Sequence, residues 1–133
     1  SGEKDSPSGR NAKILPSQAA VLDIQSALKR FSDDSGFYQS LLDEFLKDLP
    51  GKINEMKNAY SKGNLKQLAF LAHNLKGVAA NFGAGQLYGL ASALDEAGKK
   101  QDGEAAGLLM PDLEIAAEKL KLRALDSFKE SQI

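Results

Sequence analysis

One histidine, His73, is the residue of this chain best suited to covalent chemistry, and the two positions after it that matter are Lys76 and Gly77. An imidazole is a nucleophile near neutral pH. A lysine three residues on is its neighbour on a helix surface, placed to hold an anionic group attached to the ring. Glycine inside a helix costs about 1 kcal/mol relative to alanine. At Gly77, one turn after the histidine, the missing side chain clears an approach to the ring. A lone exposed histidine can equally be an inert surface residue, and a lysine a solvated one.

Other chemistries drop out by composition. There is no Cys, so no disulfide, thiolate nucleophile or Cys-ligated metal. A single His excludes multi-histidine metal sites. Seventeen basic residues against 18 acidic ones leave a formal net charge of −1. No basic surface of the kind that binds nucleic acid without sequence preference is therefore expected. No apolar run approaches the roughly 18 residues of a membrane span, and no leader-like segment is evident. The expected compartment is the cytoplasm. At 133 residues the chain fits one domain.

The elements that must position His73 are helices. Residues 1–13 are Ser-, Gly- and charge-rich without apolar period, and read as a linker or tail; a start without Met suggests a piece of a longer protein. The remaining span, 14–130, reads as helix. Val21, Ile24, Leu28 and Phe31 form a short first stripe, closed by the Ser32–Gly36 cluster. Leu42, Leu46, Leu49, Ile53, Met56 and Tyr60 form the next, with a kink or break expected at Pro50. Gly63 suits a left-handed helix end and Asn64 an N-cap. A third stripe runs Leu68, Leu71, Leu75, Val78, Phe82 and is interrupted by Gly83–Ala84–Gly85. Leu87, Leu90 and Leu94 form a fourth. Leu109, Leu113, Ala116, Leu120 and Ala124 form the last, with Pro111 expected near its start. No strand pattern is present. Short connections between long amphipathic helices imply an all-α, antiparallel up-and-down four-helix bundle with a short additional N-terminal helix.

On a wheel of about 100° per residue, the apolar positions of the third helix cluster on one side. His73 falls roughly 170° from their centre, with Ala69, Lys76, Gly77 and Ala80 beside it. The histidine is expected to face solvent, ringed mostly by side chains no larger than a methyl.

Those residues carry a resemblance. Ala72-His73-Asn74-Leu75-Lys76-Gly77-Val78-Ala79-Ala80-Asn81-Phe82-Gly83-Ala84 resembles the signature of histidine-containing phosphotransfer (HPt) domains of bacterial phosphorelays. The likeness extends outward from about Val21 to Ala124. Leu41 to Pro50 is similar to the family's helix before the site, and Leu87 to Ala97 to the one after it. The resemblance implies that His73 accepts a phosphoryl group from a receiver-domain aspartate, through Nε2, and passes it to another. It makes Lys76 the cation near the phosphate and Gly77 the bare position that lets the partner close. On the next helix, Asp95 falls where relatives often carry a Gln or Glu that contacts the histidine, and Lys99 where some carry a basic residue. Aspartate is shorter than glutamine and, when ionised, only accepts.

Docking is expected on Ala69, Ala80 and the outward positions of the fourth helix, Tyr88, Ser92, Asp95 and Lys99; Tyr88 could equally be half-buried in the bundle. The partners implied are receiver domains, with no nucleic acid, no membrane contact and no second copy, the chain acting as a monomer. The domain needs no cofactor of its own, and the partner is expected to bring Mg²⁺. Without an ATP-binding loop the chain reads as a phosphocarrier rather than a kinase, placed at the C-terminal end of a hybrid sensor kinase. Three alternatives stay open: a dimeric kinase phosphoacceptor domain, a chemotaxis-kinase-type phosphotransfer domain, and a non-catalytic helical adaptor.

Overall fold

The computed structural model describes residues 19–131, with side chains through Phe128; residues 1–13 and the start of the bundle at Ile14 lie outside that range. The described residues form α1 (Ile24–Leu28), a 3-10 turn (Lys29–Phe31), α2 (Ser35–Ser61), α3 (Leu65–Phe82), α4 (Gly85–Lys99) and α5 (Gly103–Ser131). The four long helices are packed in ring order, each against its chain neighbours and α5 back against α2, with α3 and α5 across the diagonal. The expected bundle with a short N-terminal addition is the fold observed.

Local chemistry sets most of the helix ends. Asp34, Asn64 and Asp102 each accept a hydrogen bond from the backbone N–H three residues on, at 3.0, 3.1 and 3.0 Å, which satisfies donors the first turn leaves orphaned. Gly63 and Gly83 end their helices with φ of +71° and +79°, the left-handed conformation glycine adopts without penalty. Gly83 has a second reason. The Asp23 N–H donates to its carbonyl at 2.8 Å, and a Cβ on Gly83 would collide with the Asp23 carbonyl oxygen. The segment before α1 thereby clamps the α3–α4 corner. Gln86 reinforces the clamp by donating from its backbone to Ala20 O and from its side chain to Ala19 O, both at 3.0 Å.

The core is an unbroken set of mostly Leu and Ala positions, joined by Tyr38, Phe45, Ile53, Met56, Phe82 and Met110. At one end Phe31, Tyr38, Phe45 and Phe82 pack ring against ring at centroid separations of 5.2–5.8 Å. The Tyr38 hydroxyl donates to the Phe82 carbonyl at 2.7 Å, capping the end of α3. Burial there pushes its pKa up to about 12, so it stays a donor throughout the neutral range.

Three expectations change. The helix α2 runs unbroken through Pro50, and Pro111 lies well inside α5 rather than at its start. Both prolines are exposed, and on the solvent side water can satisfy the carbonyl each one leaves free. On α3 the buried positions are Leu68, Ala69, Ala72, Leu75, Ala79 and Phe82, whereas Leu71 and Val78 are only partly covered. The buried face is thus rotated toward the alanines, because small side chains let α4 lie close.

Gly98 shows how close. A Cβ there would come 2.7 Å from the Leu65 carbonyl oxygen and 2.8 Å from Ala69 Cβ, so α3 and α4 cannot keep this spacing around a methyl group. Gly98→Ala is expected to lower stability by about 1–3 kcal/mol, the usual cost of overpacking. The check is urea unfolding with a lower midpoint and an unchanged slope.

Candidate functional site

The close approach of α3 and α4 creates the site. His73 stands on the outer face of α3 with its side chain 61% exposed. Across from it on α4, Asp95 is 3% exposed, the one charged residue among the buried ones described. Asp95 Oδ2 lies 3.2 Å from His73 Nδ1 and 3.3 Å from Lys76 Nζ. Its other oxygen, Oδ1, is in ion contact with Lys99 Nζ at 3.4 Å. One carboxylate thus gathers the imidazole and two ammonium groups from two helices.

A buried carboxylate needs this company. Burial by itself raises the pKa of Asp95, but the bonds from His73, Lys76 and Lys99 and the charge of Lys99 outweigh it and hold the group below its ordinary 3.8. It is therefore ionised at neutral pH and can only accept. The Nδ1 that faces it must carry the proton, which leaves the lone pair on Nε2. With the side chain 61% exposed, a partner can reach the ring.

The neighbouring positions divide. Gly77 is exposed, and a Cβ there would meet nothing within 4 Å, so no packing among the described residues requires the glycine. Its absence of side chain matters only to something that arrives from outside. Gly77→Ala is expected to stabilise the helix by about 1 kcal/mol while slowing transfer from a receiver. Thermal unfolding and a transfer assay on the same sample read the two opposite signs.

Ala80 is half-buried beside this face and Ser92 half-buried on α4, where it borders a shallow depression with Lys76, Asp95 and Lys99. Tyr88 is exposed, two turns before Asp95 on the same side of α4, and is available as a contact. Two expectations fail. Ala69 is not an exposed docking position: at 6% exposure it is covered by α4, because Gly98 lets that helix settle onto it. Asp95 likewise is not an exposed docking residue. Its reach to His73, which the shorter side chain made demanding, is supplied by the same close packing.

Phe70 went unrecognised in the sequence. It is 60% exposed and borders a shallow depression with Lys66, His73 and Lys99. The signal was present, since Lys66, Phe70, His73 and Gly77 follow one another at three- and four-residue steps along one helix face. Among the described residues no group of three or more His, Asp or Glu could hold a metal ion, and no helix is long and apolar enough to cross a membrane.

The family model described as the Hpt domain matches residues 40–125, which takes in α3, α4 and the whole histidine site. The fold is also similar to the crystal structure of histidine-containing phosphotransfer protein B from Pseudomonas aeruginosa PAO1. That match has a TM-score of 0.76 and 23% identity, over 84% of this chain and 97% of the other. No curated protein matches the sequence. With the family model covering well over half of its length, the chain belongs to the Hpt domain family.

Proposed function

We propose that His73 is the phosphoacceptor of this Hpt domain, and that the chain relays a phosphoryl group from one receiver-domain aspartate to another. The observation that carries the assignment is the exposed imidazole whose Nδ1 is held by the buried Asp95 carboxylate at 3.2 Å. The Nε2 lone pair attacks the phosphorus of an aspartyl phosphate. The new N–P bond forms as the P–O bond to the aspartyl oxygen breaks, and that carboxylate leaves with the bonding pair. The proton stays on Nδ1, so the ring becomes cationic, and Asp95 lies against that charge. Lys76, 27% exposed, and the more open Lys99 are within reach of the incoming phosphoryl oxygens. Transfer onward reverses each step on a second receiver.

Phosphoryl transfer is mostly positioning and charge neutralisation. The chain supplies a nucleophile and two cations. Asp95 already faces three donors and is a poor ligand for a hard cation, so the reading takes Mg²⁺ from the receiver. On this reading the domain is a carrier that does not use ATP by itself. Gly77, Ala80, Tyr88, Ser92 and Phe70 are its docking contacts. All the site residues come from one chain, so a single copy suffices for transfer.

The test is to mix the purified chain with a phosphorylated receiver domain and Mg²⁺ and follow the label. Acid-labile, base-stable label on this chain is the expected result. A folded chain that takes no label from several receivers would overturn the carrier reading.

A further inference from the structure

Most of the large apolar side chains exposed away from His73 lie on one helix. Leu108, Ile115, Leu122 and Leu125 of α5 are 72%, 54%, 54% and 57% exposed. The first three are spaced by sevens, and Leu125 follows three residues after Leu122. This is the spacing of a seam between paired helices. It forms a stripe about 26 Å long at 1.5 Å per residue on the side of α5 turned away from the core. An apolar stripe of this kind marks an interaction face.

The charges beside the stripe indicate what covers it. Asp112 and Glu114 lie in its first half, and Lys119, Lys121 and Arg123 in its second, where Glu118 sits within the stripe itself. We propose that the occupant is a second copy of this chain, with the two α5 helices antiparallel about a two-fold axis between Ala116 and Ala117. Leu108 then faces Leu125 of the other copy, Leu122 faces Pro111, and Ile115 lies on the aliphatic stem of Glu118. On the two flanks of this seam Asp112 meets Lys119 and Glu114 meets Lys121, each pair occurring twice by symmetry. A parallel pair would instead set Glu118 against Glu118.

Glu114 is also 3.5 Å from Lys57 of α2, with both side chains about half exposed. A pair that open is weak and can be shared. Because α5 lies diagonally across the bundle from α3, pairing through it leaves both copies of His73 open to receivers. The dimer is thus compatible with transfer and does not depend on it.

Sedimentation equilibrium over a concentration series tests the proposal. The expected mass rises from the 14.2 kDa of one chain toward twice that value, and Ile115→Lys returns it to one chain with helical circular dichroism unchanged. Lys119→Asp should weaken pairing about tenfold, and adding Asp112→Lys should restore it. That rescue holds only in the antiparallel register, since a parallel pair sets residue 119 against Glu114. A chain that stays monomeric, a dimer indifferent to Ile115→Lys, or a double variant without rescue would each overturn the proposal. Amide shifts on α5 upon adding a receiver to a monomeric chain would assign the stripe to the receiver and overturn it too.

Discussion

His73→Gln is expected to take no phosphoryl label at all while folding as the parent does. The side chain is mostly exposed and contributes nothing to the core, so its loss should move stability by no more than about 0.5 kcal/mol. A glutamine amide can still donate toward Asp95, which keeps the buried carboxylate from losing a partner. The nucleophile, however, has no substitute: the amide nitrogen has no free lone pair, and the described residues hold neither a second histidine nor a thiol. Radiolabel transfer from a phosphorylated receiver, read beside urea unfolding, separates the two effects. Residual label at a few per cent of the parent level would mean that another residue accepts the phosphoryl group.

Asp95→Ala is expected to lower the transfer rate on the order of 10²-fold, the scale of a misoriented reacting group. Without the carboxylate the imidazole loses its Nδ1 acceptor. The ring can then rotate and place the proton on Nε2, which removes the attacking lone pair. Lys76 and Lys99 also lose the anion that gathers them. Asp95→Asn distinguishes positioning from charge, because its carbonyl still accepts from Nδ1–H. It should retain more activity than the alanine variant, and ring nitrogen shifts of His73 should show the Nδ1–H form in the parent and a mixture in Asp95→Ala. Equal loss in both variants would make charge, not orientation, the role of Asp95.

The same residue predicts a pH dependence. Its folded pKa is lowered from 3.8 by its three partners, so its stabilising contribution is fully present above the unfolded value. It is lost only as the pH falls below about 3.8 through the folded value. The carboxylate's contribution to the stability difference between the parent and Asp95→Ala should therefore shrink in strong acid, below about pH 3.8.

The helices, most of their caps and the outward position of His73 were legible in the sequence, and for one reason: each depends on residues within a turn or two of each other. The three- and four-residue steps of Leu42 to Met56 report which side is covered whatever covers it, and Asp34, Asn64 and Gly63 act on their own turns. The break allowed for at Pro50 and the expected place of Pro111 misled because a rule for the isolated helix takes no account of which side faces water.

Only the tertiary structure decided that Asp95 is buried, that Ala69 is covered, and that one carboxylate ties His73 to Lys76 and Lys99. Those facts depend on the distance between α3 and α4, and that distance is set by the bare Gly98 against Ala69. A wheel weighted by large apolar side chains gives no weight to that contact. The sequence by itself therefore singled out the candidate nucleophile and determined the direction it faces. Which nitrogen carries its proton was decided by a carboxylate 22 residues away, brought within reach because two helices have almost nothing between them.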